Sequence, residues 1–542
     1  PPAPAAGSGA GMVALGSLLS RLVGFVRERV YAHYLGVGPH MDVLRMAFRI
    51  PNIVQNLLGE GTLSAAFIPI YARMVEEGRR EEAGRFAGAV FGLLLATAGG
   101  LSLAGMLLAR PIVAALTPGF LHDTGTVDRF ELSVTATRII FPMTGFLVLS
   151  VWALGVLNSH RKFFVPYFAP VVWNAAIIGW MVWVGGGGGS GSAWMTRVLF
   201  AACWGGLLGG LLQFLVQLPM VAREIRGFRL SFSTRVEGVK DALRAFVPVV
   251  AGRGVVQLSA FLDVFLASFL QAGAPGVLSY AQTPYMLPVS LFGLSVAAAE
   301  LPELSRLRRE GGGTDALRAR VRRSLRQMAF LNVPTCVGYL VFGYLIIGLL
   351  LRTGSFRESA NWLVYFTLAG YTLGLLASTS SRLLQNTFYA LGQPRTPARI
   401  AALRVGLSAL VAVPLMLLLD RVSVTDLVRV NGEPLRLGAV GLAAASAVGS
   451  WAELLLLRRA LARSAPGPFF PWREVGRLTL LALAAAVPAA LLWRVLPPMH
   501  VALQALAVVG LYGAGYLLLA RLTGAEELGF WLGRFARRRR QD

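Results

Sequence analysis

Apolar runs of about twenty residues follow one another from end to end of this 542-residue chain, and no other feature limits its fold as strongly. A helix needs roughly twenty apolar residues to cross the hydrocarbon core of a bilayer, and only helices or closed barrels leave no backbone group unsatisfied there. A barrel would show segments of about ten residues with alternating polarity. The chain has none. Hydrophobic residues make up 55% and charged residues only 14%, where a soluble domain carries about a quarter. The expected fold class is therefore an all-α polytopic membrane protein.

The runs divide into about fourteen spans, at 9–34, 41–72, 86–109, 131–157, 165–184, 194–221, 245–270, 276–304, 327–351, 361–391, 398–419, 437–457, 474–493 and 500–522. Every second loop is basic, from Arg73–Arg85 through Arg223–Arg244 and Arg306–Arg326 to the tail Arg537–Arg540, while "GVGPHM" and "QAGAPG" carry no Lys or Arg. By the positive-inside rule both termini are cytoplasmic. A faint repeat, "AAFIPIYAR" at 65–73 against "AAELPELSR" at 298–306, relates the ends of spans two and eight. It suggests two six-helix lobes around a central cavity plus two added C-terminal helices. The expected divisions are 1–221, 222–457 and 458–542, the last ending in a basic cytoplasmic tail.

The net charge of +24 raises nucleic acid as a partner, but the basic residues sit in short loops rather than on a polar domain, so no nucleic-acid partner is expected. Lys162 and Lys240 are the only lysines, an arginine bias that says nothing of mechanism. Cys203 and Cys336 stand in separate spans, which gives neither a disulfide framework nor metal spacing. The five histidines lie near span ends or in loops, and the glycine run at 185–189 continues into Ser-Gly-Ser rather than a P-loop. No catalytic group, metal, cofactor or cleavable signal is expected, and the chain reads as a transporter rather than an enzyme.

One stretch breaks the apolar rule. Residues 20–61 carry Arg21, Arg27, Arg29, Asp42, Arg45, Arg49 and Glu60. On a helical wheel with Asp42 at zero, Arg45 falls at about 300°, Asn56 at about 320°, Arg49 at about 340° and Glu60 at about 0°. This stripe is about 27 Å long, and Pro51 only blurs its phase. A charge at the bilayer centre costs about 2.5–3.5 kcal/mol even on the lenient scale, so the stripe must face protein or water. One reading is a structural network joining Asp42 to Arg45 or Arg49, and Glu60 to Arg21 or Arg27. The other counts five arginines against the two carboxylates Asp42 and Glu60 and assigns the surplus to an anionic, phosphate-bearing ligand, which the planar guanidinium fork matches. Arg29 fits a snorkelling position near the outer interface. Arg253 and Asp263 in span seven are about 80° apart, too far for a mutual pair but able to face a shared cavity. Arg138 and Arg382 read as anchors, and Glu300 and Glu303 as partners of the adjacent basic loop.

"SRLVGFVRE", "GVGPHMDVLRMAFRIPN", "EGTLSAAFIP", "TPGF" at 117–120, "NSHRKFFVPYFAPVVWN" at 158–174, "VFLASFLQAG" at 264–273 and "FYALGQPRTP" at 388–397 resemble, in that order, the MurJ/MviN lipid II flippases of the multidrug/oligosaccharidyl-lipid/polysaccharide exporter superfamily. The resemblance covers most of the chain. It implies fourteen helices and translocation of lipid II, an undecaprenyl-pyrophosphate glycopeptide, from inner to outer leaflet of the bacterial cytoplasmic membrane by alternating access, for cell-wall synthesis. Membrane lipids and cell-wall synthesis proteins are the further partners implied. The family's functional positions match Arg21, Arg27, Asp42, Arg49 and Glu60, whereas Arg45 comes from the wheel alone. Helices thirteen and fourteen are expected to form a groove for the lipid tail.

Two positions depart from the family pattern. Gln55 stands where members usually have Arg, and Gln282-Thr283 where an Asp-Arg pair is common. Arg253 or Arg45 is expected to supply the missing charge. Span eleven lacks the Asn or Asp of the sodium sites, so sodium is not carried over. Three alternatives stay open: a flippase for another polyprenyl-pyrophosphate-linked saccharide, a cation-coupled small-molecule exporter of the superfamily, and a non-transporting membrane scaffold.

Overall fold

The computed structural model describes residues 6–58, 63, 66–123, 125–309, 313–430, 434–464, 466–497 and 499–529. Among them the chain is helical, with one isolated bridge, Ser423 to Arg436, as its only extended pairing. Each of the fourteen apolar runs is helical over most of its described residues. Among those residues, nine helices are long and apolar enough to cross a membrane, and the pair Glu358–Thr372 and Leu375–Ala390, bent by 41°, adds a tenth if it forms one broken span. The protein is an all-α, multi-pass membrane protein.

By compactness the chain forms two units, Pro1–Gly276 with Thr353–Phe356, and Val277–Arg352 with Arg357–Asp542. The first contains α1 (Ala6–Leu35), α2 (Pro39–Leu58), α3 (Ile68–Glu76), α4 (Arg80–Leu107), α5 (Ala109–Leu116), α6 (Arg129–Ser159), α7 (Phe164–Gly185), α8 (Ser192–Leu215), α9 (Leu218–Glu224) and α10 (Val239–Ala267). Here α6 is the central helix, packed against α2, α4 and α8, and α7 lies between α1 and α8. Asp128 caps α6 by accepting the Glu131 N–H at 2.9 Å, satisfying a donor that the first helical turn leaves open. The close approach of α8 to α7 depends on small residues: a Cβ at Gly209 would stand 2.8 Å from the Trp173 carbonyl oxygen.

The division falls within α11 (Ala274–Pro288), and a π-helical turn at Val289–Leu294 leads into α12 (Ser295–Arg309). The second unit continues with α13 (Thr314–Leu351), α14 (Glu358–Thr372), α15 (Leu375–Ala390), α16 (Arg395–Leu419), the short α17 (Val424–Leu427), α18 (Gly438–Ser464), α19 (Trp472–Val495) and α20 (Val501–Leu522). One apolar core joins α13, α15, α18, α19 and α20, so the two C-terminal helices are built into this unit. Two prolines show how its helices tolerate breaks. Pro334 has no N–H for the Phe330 carbonyl one turn back, and the Tyr516 hydroxyl donates to that oxygen instead, at 2.9 Å. Pro288 likewise leaves the Pro284 carbonyl open, and Tyr339 donates to it at 2.8 Å.

Several charges in this unit are paired. Arg320 reaches Glu300 at 2.7 Å and Glu303 at 3.8 Å, as expected of carboxylates beside a basic loop. Deeper in the helices, Glu453 of α18 is 1% exposed and accepts from Arg404 of α16 at 2.8 Å and from Gln385 of α15 at 2.6 Å. Removing one member of a buried pair strands the other charge, at a cost of about 3–5 kcal/mol, whereas replacing both with apolar residues is nearly neutral. Arg404→Ala should therefore lower thermal stability in detergent strongly, and Arg404→Met combined with Glu453→Leu should recover most of the loss. Equal destabilisation of the single and double variants would show that the pair is not the source of the effect.

Candidate functional site

Inside the first unit, α1, α2, α6, α7 and α8 enclose a cavity of about 290 Å³. Its walls are Arg27 and Tyr31 from α1; Leu44, Arg45, Phe48, Asn52 and Gln55 from α2; Leu147 from α6; Pro170 and Trp173 from α7; and Gln213 from α8. Arg27 and Tyr31 stand four residues apart and so share a face of α1. The Arg27 guanidinium lies 5.1 Å from the Trp173 ring centroid and 5.4 Å from that of Tyr31, and Arg45 lies 5.3 Å from Tyr31. These aromatic faces favour a cation that has lost part of its water.

Glu28 organises the two arginines. Its carboxylate, on a side chain only 7% exposed, accepts from Arg27 Nη2 at 2.9 Å and from both terminal nitrogens of Arg45. Arg27 Nη1 also donates to Asn174 Oδ1 at 2.9 Å, and Asn174 Nδ2 donates to the Pro170 carbonyl at 2.9 Å. This corrects the charge count drawn from the sequence, which left Glu28 out: three carboxylates, not two, stand against the five arginines. Adjacent to two arginines in "VRERV", Glu28 reads as part of a polar edge, and only the fold shows it buried between α1 and α2. Arg27 and Arg45 thus share one carboxylate, that of Glu28.

The expected stripe on α2 is turned relative to this cavity. Its lining residues Leu44, Arg45, Phe48, Asn52 and Gln55 span about 200° to 300° on the wheel that puts Asp42 at zero, so Arg45 is the residue common to both faces. The rotation follows from Asp42, which is fully buried away from the cavity. One carboxylate oxygen accepts the Gly276 N–H at 2.9 Å; the other accepts the Gly273 N–H at 2.6 Å and Arg129 Nη1 at 3.3 Å. Arg129 in turn reaches Asp123 and lies 4.4 Å from the Phe120 ring centroid. Asp42 is therefore paired with Arg129, not with Arg45 or Arg49. Arg49 is half-buried, whereas Arg21 and Asn56 are exposed, and none of the three lines the cavity. Glu60 and the Arg253 side chain lie outside the described residues.

The wall residues Tyr31, Trp173 and Gln213, and Asn174 behind Arg27, were not legible as site residues, since nothing in an apolar run marks which face meets a cavity. Among the described residues no group of His, Cys, Asp and Glu is arranged to hold a metal ion. The arrangement suits an anion, which would meet two guanidiniums already desolvated and oriented, with polar amides beside them.

Glu28→Gln keeps the shape but removes the counter-charge from two half-buried arginines. We expect a fall in melting temperature, and a larger upward shift on adding inorganic pyrophosphate than the parent chain shows, because the added anion restores the lost compensation. Equal shifts in parent and variant would mean that the anion does not reach these arginines.

Comparison with known proteins gives the context. A family model described as the lipid II flippase MurJ matches residues 31–512. A "probable lipid II flippase MurJ" of Rhizobium meliloti (strain 1021) is 32% identical over 482 residues, covering 88% of this chain and 84% of that protein. Its counterpart from Haemophilus influenzae is 30% identical over 501 residues, covering 89% and 91%. Among solved structures, a lipid II flippase MurJ in an inward closed conformation superposes with a TM-score of 0.71 at 21% identity, over 94% of this chain and 98% of that one. An inward-facing multidrug resistance MATE family transporter of the MOP superfamily shares the fold at a TM-score of 0.63 and 15% identity, over 83% and 96%. With a family model spanning most of its length and relatives at this identity along nearly their whole chains, the chain belongs to the lipid II flippase MurJ family.

Proposed function

We propose that this protein is a flippase that carries lipid II, a polyprenyl-pyrophosphate glycopeptide, from the inner to the outer leaflet of the bacterial cytoplasmic membrane for cell-wall synthesis. It acts as a transporter without chemistry of its own, crosses the membrane fourteen times with both termini in the cytoplasm, and works beside the cell-wall enzymes that use its product. The observation that carries this reading is the pair Arg27 and Arg45, held half-buried on an aromatic-lined cavity wall with the carboxylate of Glu28 shared between them. A pyrophosphate carries at least two negative charges, and removing each from water without a cation costs several kcal/mol. Arg27 and Arg45 offset this for the cargo, and Glu28 offsets it for the empty cavity. Arg21 and Arg49 on the same two helices, and Arg253 on α10, extend the cationic path along which the headgroup moves. The division expected from the repeat, with helix groups 1–221, 222–457 and 458–542, assigns the last pair to the lipid tail. In support, α19 and α20 keep Leu480, Leu491, Leu503 and Leu506 well exposed.

One feature favours a second reading. Gln55 lies in the cavity wall at a position where family members usually carry Arg, so this cavity is less cationic than the family pattern, and a different polyprenyl-linked saccharide would suit it. Replacement of an authentic lipid II flippase in a conditionally depleted bacterium separates the two: growth on this chain alone supports lipid II, and lysis despite normal protein level supports the alternative.

Charge-assisted hydrogen bonds to phosphate are worth about 1.5–3 kcal/mol, so Arg27→Ala and Arg45→Ala should each weaken lipid II binding by roughly tenfold to a hundredfold. Lys should rescue only part of that, since it keeps the charge but not the fork. Binding unchanged in both variants would remove the cavity from the pathway. For Arg253, the expected outcome is that Arg253→Ala abolishes flipping and that adding Thr283→Arg restores it; normal flipping by Arg253→Ala would end the idea of a relocated charge.

A further inference from the structure

The segment joining α9 to α10, residues 225–238, has no regular secondary structure, and its first half lies lengthwise on α4. Gly84, Gly88 and Gly92 stand four residues apart on one face of α4 and meet the backbone carbonyls of Arg226, Arg229 and Ser231 in turn. A Cβ on any of these glycines would collide with its carbonyl. Three contacts in register mean that the segment descends along the helix. From Gly84 to Gly92 it passes eight residues of α4, about 12 Å, and at Ser231 it lies about 9 Å inside the apolar run that begins at residue 86.

Its side chains suit neither water nor hydrocarbon alone. Phe228 packs edge-on against Phe91 and Trp152, with ring centroids 6.0 and 6.1 Å away, yet remains 43% exposed. Leu230 and Phe232 are 53% and 58% exposed. Arg226, Arg229 and Arg235 are exposed as well, and none pairs with a carboxylate among the described residues. The neighbouring carboxylates are engaged: Glu82 and Glu237 with Arg79, Glu81 with Arg85 at 3.7 Å, and Glu224 with His160 and Lys162.

We propose that residues 226–235 are an interfacial strap that binds the headgroup phosphates of anionic phospholipids in the leaflet facing the basic loops. Phe228, Leu230 and Phe232 enter the acyl-chain boundary, and Arg226, Arg229 and Arg235 reach back to the phosphates. Lipid, rather than transported cargo, is the occupant because α4 contributes no residue to the arginine cavity.

The test uses the full chain with Phe232→Cys carrying a bimane, reconstituted in vesicles of mixed phosphatidylcholine and phosphatidylglycerol, one of the two spin-labelled at a time. Cys203 is buried and Cys336 largely so; both stay in place, with the unsubstituted chain as blank. The expected result is quenching by spin-labelled phosphatidylglycerol at least about twofold above that by phosphatidylcholine, an excess that high salt removes. In the combined Arg226→Gln, Arg229→Gln, Arg235→Gln variant the excess should vanish while quenching by phosphatidylcholine persists. Equal quenching in the parent, an excess surviving in the variant, or no quenching by either lipid would each overturn the proposal. Loss of both signals in the variant would also overturn it, since the arginines would then seat the strap rather than bind headgroups.

Discussion

Every polar group taken out of water in this chain must find its partner inside the protein, and the rest of the structure follows from that constraint. It makes the backbone helical. It then governs each interruption: where Pro334 and Pro288 leave a carbonyl without its helical N–H, Tyr516 and Tyr339 supply a hydroxyl from a neighbouring helix. The breaks thereby become specific links between helices, and a tyrosine in an apolar run acts as a positional element rather than as packing alone.

The same constraint sorts the charges by role. Asp42 with Arg129, and Glu453 with Arg404, are closed arrangements whose oxygens are held by defined donors. Arg27, Glu28 and Arg45 differ because two cations share one carboxylate beside an open volume. A buried ion pair contributes little net stability, so such residues in a membrane helix are explained either by the geometry they hold or by a ligand they await. The first explanation fits Asp42 and Glu453. The second fits the arginine pair, which lines the cavity where an anion would meet both guanidiniums.

Glycine has a structural task of equal weight. Gly209 lets α8 meet α7 at backbone distance, and Gly84, Gly88 and Gly92 give an irregular segment a seat on α4. In water the hydrophobic effect would hold such elements together, but lipid offers no comparable drive, so contact depends on close van der Waals approach and small residues permit it.

The sequence by itself determined the helical class, the placement of the apolar segments, the pairing of Glu300 and Glu303 with a basic loop, and the concentration of unusual charge in the first two spans. These are local properties: length, hydropathy and charge along one segment suffice to state them. Arg27 and Arg45 were legible because an arginine in an apolar run is costly wherever it points. What only the tertiary structure decided was partnership. The wheel grouped Asp42 with Arg45, since both lie on one side of α2, but Asp42 turns to Arg129 and to two glycine N–H groups more than two hundred residues away, which rotates the cavity face toward Asn52 and Gln55. Glu28, Trp173 and Gln213 became site residues only through the packing of α1, α7 and α8. Helical periodicity fixes the angles within one helix, whereas the rotation of that helix against its neighbours is set by contacts summed over the whole unit.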